Sequence, residues 1–287
     1  MHAMVRIDAH QHFWRLSRGD YSWLTPALAP IHRDYTLDDL APWLRRAGIE
    51  ATVLVQAAPT VAETEFLLAA ASASEGIVQA VVGWVDLESN DAIPTLERLA
   101  RDRMLRGVRP MLQDLVDPDW IVRPHVLDAL SSLPALGLRF DALVTPRELP
   151  ALVRMLDRRP ELAVVIDHGA KPPIAAGRRE PWAGLIAAVA ANPHVYCKLS
   201  GLATEAGPDW SADSLRPWVE HLIDCFGAQR LMWGSDWPVV DLAGGYGRWL
   251  AASEVLLAPL PMEERASILG ASAARFYGIE SRAAAPG

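Results

Sequence analysis

Residues 51–86 read ATVLVQAAPTVAETEFLLAAASASEGIVQAVVGWVD, and this stretch predicts the architecture of the whole chain. It begins with a short apolar run, Ala51–Ala57, passes through an alanine-rich segment of high helix propensity, and ends in a second apolar run, Val78–Asp86. Both runs are close to continuously apolar, which is typical of parallel strands covered on both faces. The stretch therefore predicts one strand–helix–strand unit whose two strands are parallel.

The same alternation recurs along the chain and gives eight predicted strands. The other six are Val5–His10, Leu105–Leu112, Leu138–Val144, Leu162–His168, Val195–Gly201 and Arg230–Asp236. Eight such units without an internal break in composition predict an α/β fold, a single (β/α)8 barrel of the TIM type over residues 1–287, with its core at about residues 5–278. A doubly wound open sheet gives the same local pattern, but no predicted strand is followed by the G-x-G-x-x-G turn of its nucleotide-binding form.

Helix boundaries are marked by caps, prolines and glycines. The segment Thr36–Asp39 resembles a capping box that begins a helix ending at Gly48. Thr145-Pro146 places proline where a first helical residue is expected. The segment after Pro261 predicts an extra C-terminal helix that ends near Gly278.

The composition excludes several classes of protein. Hydrophobic residues make up 51% and charged residues 22% of the 287 residues, which is typical of a globular chain. The net charge of −8 without a basic tract argues against nucleic acid as a partner. No apolar run approaches the length of a membrane-spanning helix or a signal peptide, so we expect a cytoplasmic protein that does not bind membranes. The oligomeric state stays open.

Ionisable side chains follow three of the predicted strands. The first strand ends in Asp8-Ala-His-Gln-His12, the sixth in Asp167-His-Gly-Ala-Lys171 and the eighth in Trp233-Gly-Ser-Asp-Trp-Pro238. The carboxyl ends of barrel strands meet at one mouth, where such enzymes carry their active sites. Residues two apart on an extended chain point to the same side, so we expect His10 and His12 to converge.

His10, His12, His168 and Asp236 support two kinds of chemistry. Imidazole and carboxylate together can hold a divalent ion, and they equally form an acid–base set for hydrolysis. Each of these residues alone is more simply explained as a rim histidine or a turn-capping carboxylate. Their joint placement at three strand ends favours a functional site.

Four blocks of sequence around these residues resemble the amidohydrolase superfamily. The blocks are Ile7–Trp14, Asp167–Pro172, Cys197–Gly201 and Trp233–Pro238. They are most similar to the sugar-lactone hydrolase branch, which includes the L-fuconolactonases and the 2-pyrone-4,6-dicarboxylate lactonases. The resemblance implies hydrolysis of a sugar-acid lactone, L-fucono-lactone or a close aldono-lactone, to the free aldonic acid.

The sequence departs from the binuclear members of that superfamily. Those enzymes take a bridging lysine or glutamate from strand four and a histidine from strand five, whereas here strand four carries Arg109 and strand five has no histidine. The resemblance therefore implies at most one divalent ion such as zinc, held by His10, His12, His168 and Asp236. A metal-independent site is equally open, because some members of the lactonase branch resemble metal-independent enzymes.

Within this resemblance, lactone hydrolysis needs an activated water and a polarised carbonyl. We expect Asp236 to act as the general base, while His10, His12 and His168 stabilise the developing oxyanion, directly or through an ion. An ordinary aspartate, with a pKa of about 3.9, is ionised but is a weak base, so a raised pKa would make the step easier.

Substrate contacts are expected from residues near the strand ends. Arg109 offers a planar fork for carboxylate or sugar oxygens, although a strand-end salt bridge explains it equally well. The indole of Trp14 suits the C–H face of a sugar ring. Lys198 is costly to bury unless it meets a carboxylate or faces the site. The full set of candidates is Trp14, Gln56, Arg109, Gln113, Lys171 and Lys198.

Two other functions remain open. A metal-dependent decarboxylase of an aromatic or enol acid belongs to the same resemblance, and it would need a firmly bound metal. A non-catalytic binding barrel would require the grouping of His10, His12 and Asp236 to be accidental. Metal content and activity after chelation separate the first of these from a lactonase.

Overall fold

A closed ring of parallel strands is the centre of the computed structural model, which describes residues 5–280. Within that range one sheet holds eight strands in sequence order. The strands are β1 Ile7–Gln11, β2 Ala51–Val55, β3 Val78–Gly83, β4 Leu105–Val108, β5 Arg139–Ala142, β6 Val164–Ile166, β7 Val195–Leu199 and β8 Leu231–Trp233. The ring closes beyond β8, where the His12 amide donates to the Trp237 carbonyl and the Asp236 amide to the His10 carbonyl, both at 2.8 Å. The predicted (β/α)8 barrel is confirmed.

Helices follow the strands and surround them. They are α1 Leu37–Ala47, α2 Val61–Ser72, α3 Ala92–Leu99, α4 Pro124–Ser132, α5 Leu149–Arg158, α6 Trp182–Ala190, α7 Ala212–Phe226, α8 Gly245–Leu257, α9 Met262–Ala266 and α10 Ser272–Tyr277. The predicted cap of α1 is confirmed, because the Thr36 amide donates to the Asp39 carboxylate at 3.0 Å and Gly48 ends the helix at φ 63°. No helix within residues 5–280 is long and apolar enough to cross a membrane.

The predicted start of α5 at Thr145-Pro146 is wrong. The helix begins at Leu149. The Glu148 carboxylate accepts hydrogen bonds from both the amide and the hydroxyl of Thr145, each at 2.8 Å, and this holds the intervening residues in a separate turn.

The apolar core has two layers, separated by the strands. Alternate strand residues face different layers, as the pleat requires. Val53 and Val55 belong to the inner cluster inside the barrel, whereas Leu54 between them packs in the outer layer against the helices. Parallel strands buried on both sides in this way need apolar residues at consecutive positions, which explains their unbroken apolar runs.

The extra C-terminal helix is also confirmed, and it closes the floor of the barrel. A π-helical turn, Ser267–Ala271, joins α9 to α10, and Gly278 ends the segment at φ 64°. Phe276 and Tyr277 enter the inner cluster from below. The phenolic hydroxyl of Tyr277 reaches further and donates to Asp141 Oδ2 at 2.6 Å.

Candidate active site

Three imidazoles and one carboxylate converge at the carboxyl ends of the strands. His10 Nε2 lies 3.2 Å from His12 Nε2. Asp236 Oδ1 lies 3.4 Å from His12 Nε2, 3.7 Å from His10 Nε2 and 3.8 Å from His168 Nε2. All four residues are at most 4% exposed. The structure therefore brings together the four residues expected to form the centre, which we call the His–Asp centre.

Unusual backbone geometry holds two of these side chains. Asp236 and His168 adopt positive φ angles of 58° and 54°, a conformation that costs a residue other than glycine of order 1–3 kcal/mol and that clusters at functional sites. Two glycines leave room for the imidazoles. A Cβ on Gly234 would lie 2.6 Å from the Cβ of His10, and one on Gly201 would lie 2.5 Å from Nδ1 of His168.

The far side of each imidazole is fixed by a second hydrogen bond. His12 Nδ1 lies 2.8 Å from the Val55 carbonyl, which can only accept, so Nδ1 of His12 carries a proton. In neutral His12, Nε2 therefore presents a lone pair to the centre. His168 Nδ1 pairs with the Ser200 hydroxyl at 2.8 Å.

A set of buried charged and polar side chains lies directly beneath the centre. We call it the floor cluster, and its members are Arg109, Asp141, Asp167, Lys198 and Tyr277. The Lys198 ammonium lies 2.5 Å from Asp141 Oδ2 and 3.0 Å from Asp167 Oδ1, and Arg109 Nη1 donates to Asp167 Oδ2 at 3.1 Å. Buried charges persist only when they are paired in this way.

Burial and charge set the ionisation of the centre. Burial, assisted by the Lys198 ammonium, holds the pKa of His10 well below its usual value, and burial lowers the pKa of His168 to about 4. Burial alone would raise the pKa of Asp236, but the neighbouring imidazoles of His168, His12 and His10 together lower it. The centre therefore combines neutral His10 and His168 with an ionised carboxylate at neutral pH.

A cavity of about 280 Å³ opens above the His–Asp centre. Of the predicted substrate contacts, Arg109, Gln113 and Lys171 line it. Lys171 lies towards the rim, 3.9 Å from Glu205 Oε1. Arg109 lines the cavity and also makes a strand-end salt bridge, because it pairs with Asp167.

The other three predicted contacts lie outside the cavity lining. Trp14 is fully buried, and its indole donates to the Arg33 carbonyl at 2.7 Å. Gln56 has no exposed area and donates to the Arg109 carbonyl at 2.7 Å, while Lys198 lies in the floor cluster. Each is directed into protein instead of the cavity, because a backbone carbonyl or a buried carboxylate is its partner.

Several residues that line the cavity were not predicted from the sequence. They are Trp23, Leu28, Ala57, Met111, Asp114, Leu143, Thr204, Val239 and Leu242. Trp23, and not Trp14, places an indole in the cavity lining, and its Nε1 donates to the Ala57 carbonyl at 2.7 Å. No periodic signal marks loop residues of this kind. By contrast, the carboxylate of Asp141 within an apolar strand was a signal for the floor cluster.

The donor set of the centre fits one divalent metal ion. The available ligand atoms of His10, His12 and Asp236 all lie within 4.8 Å of one another. Imidazole nitrogen and carboxylate oxygen are ordinary zinc ligands, and three protein ligands with an open position are typical of catalytic zinc. His10, Asp167 and His168 form a second group with the same spacing.

The strands form a closed parallel barrel, and its mouth carries histidines at β1 and after β6 and an aspartate after β8. This combination indicates a hydrolase of the amidohydrolase class. The chain belongs to the amidohydrolase family, which it matches over residues 7–279. It is 50% identical over 282 residues to L-fucono-1,5-lactonase from Burkholderia ambifaria, an alignment that covers 96% of each chain. It is also 38% identical over 302 residues to L-fucono-1,5-lactonase from Burkholderia multivorans, again over 96% of each chain.

A solved structure shares both fold and sequence with this chain. An amidohydrolase from Burkholderia multivorans with bound zinc has 36% sequence identity and a TM-score of 0.90, over 96% of this chain and 100% of that chain. The family and the barrel expected from the sequence are thus both confirmed.

Proposed function

We propose that this chain opens L-fucono-1,5-lactone, or a closely related aldono-lactone, to the free aldonic acid. The chain is a lactone hydrolase, a class of carboxylic-ester hydrolase, as its two curated relatives indicate. One observation of the structure carries the proposal: an ionised carboxylate faces three imidazoles beneath a cavity of about 280 Å³.

In the proposed reaction a water molecule lies against Asp236. Its oxygen attacks the lactone carbonyl while its proton passes to an Asp236 oxygen. The bond from the carbonyl carbon to the ring oxygen then breaks, and the proton returns from Asp236 to that oxygen, which leaves as a hydroxyl. Asp236 is unchanged at the end of the cycle.

In the proposed reaction the imidazoles contribute more than Asp236 to lowering the activation barrier. The lowered pKa of Asp236 keeps it ionised but makes it a poorer base than an ordinary aspartate. A raised pKa of Asp236 would have favoured proton transfer from water, but the structure lowers that pKa instead. His12 presents a lone pair to the centre, so of the three imidazoles expected to stabilise the oxyanion, His10 and His168 are the ones that must compensate as donors. Such preorganised donors are often the largest single contribution to catalysis.

His10, His12 and Asp236 are the residues that would hold a divalent ion such as zinc. The ion would supply Lewis-acid polarisation of the ester carbonyl. Around it, the chain itself excludes water from the imidazoles and aligns them through Val55 and Ser200.

The cavity wall supports a polyhydroxylated substrate. Arg109, Gln113 and Lys171 offer hydrogen-bond donors to ring and hydroxyl oxygens, and we infer that they orient the lactone. Trp23 offers an apolar face for the C–H side of a sugar ring.

The first test is proton release from a panel of freshly prepared aldono-lactones that includes L-fuconolactone. We expect rapid hydrolysis of one stereochemical series and, in Asp236→Asn, less than about a tenth of the wild-type turnover because the proton acceptor is lost. Asp209→Asn, on the exposed part of the loop between β7 and α7, is the control and should retain full turnover. Greater residual activity in Asp236→Asn would remove the general-base role.

The same panel after chelation separates the two classes of enzyme. A decarboxylase of an aromatic or enol acid would lose activity with its metal and would leave all lactones intact. Lactone hydrolysis that persists after chelation would place the polarising role on the imidazoles themselves.

A further inference from the structure

Lys198 occupies an unusual position in β7. Its side chain has no exposed area, and its Nζ lies near three acceptors at once. These are Asp141 Oδ2 at 2.5 Å, Asp167 Oδ1 at 3.0 Å and His10 Nδ1 at 3.2 Å. An ammonium group has three protons and no lone pair. With two protons directed to carboxylates, the third is directed to the imidazole.

This contact determines where His10 carries its proton. A ring nitrogen that accepts from an ammonium cannot itself be protonated, because two N–H groups would then oppose each other at 3.2 Å. His10 Nδ1 also lies 3.4 Å from Asp167 Oδ1, but the Lys198 ammonium, which can only donate, is the nearer neighbour at 3.2 Å. The contact therefore favours the neutral imidazole with its proton on Nε2.

The contacts of Nε2, on the other edge of the His10 ring, agree with a proton on that atom. His10 Nε2 points at His12 Nε2, 3.2 Å away, and the hydrogen bond from His12 Nδ1 to Val55 leaves a lone pair on that atom. Asp236 Oδ1, at 3.7 Å, is a second acceptor. Arg109 Nη1 also lies 3.5 Å from His10 Nε2, but Asp167 Oδ2 is its nearer partner at 3.1 Å.

We propose that Lys198 is a positioning residue, which fixes His10 as a hydrogen-bond donor directed from Nε2 into the active site. His10 then donates a hydrogen bond from Nε2 towards His12, Asp236 and an oxyanion formed beside them, and it can act as a metal ligand through Nε2 only in the other tautomer, with its proton on Nδ1. This inference deepens the proposed lactone hydrolysis, and only its kinetic consequence rests on that function.

The floor cluster contains a matched control for this role. The hydroxyl of Tyr277 donates to Asp141 Oδ2, the same oxygen that Lys198 contacts, but Tyr277 does not contact His10. Tyr277→Phe therefore disturbs the same buried carboxylate and leaves the bond to the imidazole in place. A purely structural role for Lys198 predicts similar effects from Lys198→Met and Tyr277→Phe.

The primary measurement is the tautomer of His10, by nitrogen-15 NMR of the histidine rings in the metal-free protein. The His10 signals are assigned by their loss in His10→Gln. We expect a protonated Nε2 and an unprotonated Nδ1 in wild type and in Tyr277→Phe, and a shift of the proton to Nδ1, facing Asp167, in Lys198→Met. A proton on Nδ1 in the wild-type protein would overturn the proposal without any variant.

Two further readouts separate positioning from folding. Lys198→Met should lower kcat about 100-fold with KM little changed, as expected when one oxyanion donor is lost, whereas Tyr277→Phe should keep kcat within about threefold. Lys198→Met should also bind zinc about tenfold more tightly in competition with a chelator, because the lone pair of His10 Nε2 becomes available. Equal kcat losses in the two variants, or unchanged zinc affinity, would contradict the proposal.

A double variant keeps the test valid if Lys198→Met does not fold. Lys198→Met leaves the buried Asp141 carboxylate without a cation and Asp167 with Arg109 alone, and an uncompensated buried charge destabilises a protein strongly. Lys198→Met combined with Asp141→Asn removes one opposite charge together with the cation, and the same tautomer shift is expected in it. If wild type hydrolyses no lactone, the proposed function fails while the NMR and zinc measurements still decide the role of Lys198.

Discussion

At the scale of single residues, neighbouring groups of the His–Asp centre have opposite ionisation preferences. Burial favours the neutral form of His10 and His168, and the imidazoles around Asp236 favour its charged form. A carboxylate among neutral hydrogen-bonding imidazoles can receive a proton, while the imidazoles polarise a carbonyl. We therefore expect the proposed hydrolysis to proceed over a wide range of pH.

This arrangement predicts the pH dependence of the reaction. The pKa of His168 is lowered from 6.5 to about 4, so its imidazole stays neutral until the pH falls towards that value. We expect kcat/KM to be nearly constant between about pH 5 and 7.5 and to fall only below that range, as His168 gains a proton. Initial rates corrected for spontaneous lactone hydrolysis would show this. An acid limb centred on pH 6.5, as for an ordinary histidine, would contradict it. His125→Gln, an exposed histidine, should leave the profile unchanged.

The sequence predicted the four members of the His–Asp centre, because strand ends of a parallel barrel meet at one mouth. It did not predict the orientation of Trp14, and for Lys198 it left open a carboxylate partner, which the structure shows, or a position facing the site. Trp14 follows a shift in the register between β1 and β2, and Lys198 found buried carboxylates that only the folded barrel assembles. Trp23 comes from a loop, whose path depends on tertiary contacts and not on periodicity.

At the scale of elements, the strands are shorter than the apolar runs that predicted them. The run Leu105–Leu112 forms a strand only over Leu105–Val108, and Arg230–Asp236 only over Leu231–Trp233. The remaining residues leave the sheet to form the active site. The position at which each strand ends could not be predicted from hydrophobicity, because residues beyond the strand, such as Arg109 and Asp236, are as buried as the strand residues.

The close contact between the end of β8 and β1 depends on Gly234, which has no side chain. Gly234→Ala would place a Cβ 2.6 Å from the Cβ of His10 and would push that imidazole out of line. We expect kcat/KM to fall about 100-fold, since small misplacements of catalytic groups have effects of that size. Overpacking should also cost about 1–3 kcal/mol of stability. Steady-state kinetics and thermal unfolding measure both effects.

Gly184→Ala is the matched control. Gly184 lies in α6, where a new Cβ would meet only the flexible Glu180 carboxylate, at 3.4 Å. Alanine at that position should leave kinetics unchanged and should alter stability by no more than about 1 kcal/mol. Full activity in Gly234→Ala would show that the position of His10 tolerates displacement.

At the scale of the whole molecule, the barrel and the C-terminal helical segment share one interior. Phe276 and Tyr277 pack in the same cluster as the inward residues of β1, β2, β3, β6 and β8. We therefore predict that residues 1–287 behave as a single domain. Calorimetry should show one transition whose calorimetric and van't Hoff enthalpies agree. Two resolved transitions would indicate that the C-terminal segment or half of the barrel unfolds independently.

The floor cluster also has a consequence for the order in which the protein is made. The nitrogen of Lys198 and the imidazole that it orients are 188 positions apart, and the hydroxyl of Tyr277 follows Asp141 by 136 positions. Once a ribosome has translated β6 and the residue after it, the nascent chain carries His10, Asp141 and Asp167 but still lacks Lys198, which contacts all three in the folded protein. An incomplete barrel therefore has unpaired charge where the finished one has its active site. We therefore expect catalytic competence to arise late in synthesis, after Lys198 in β7 and Asp236 beyond β8 have been added.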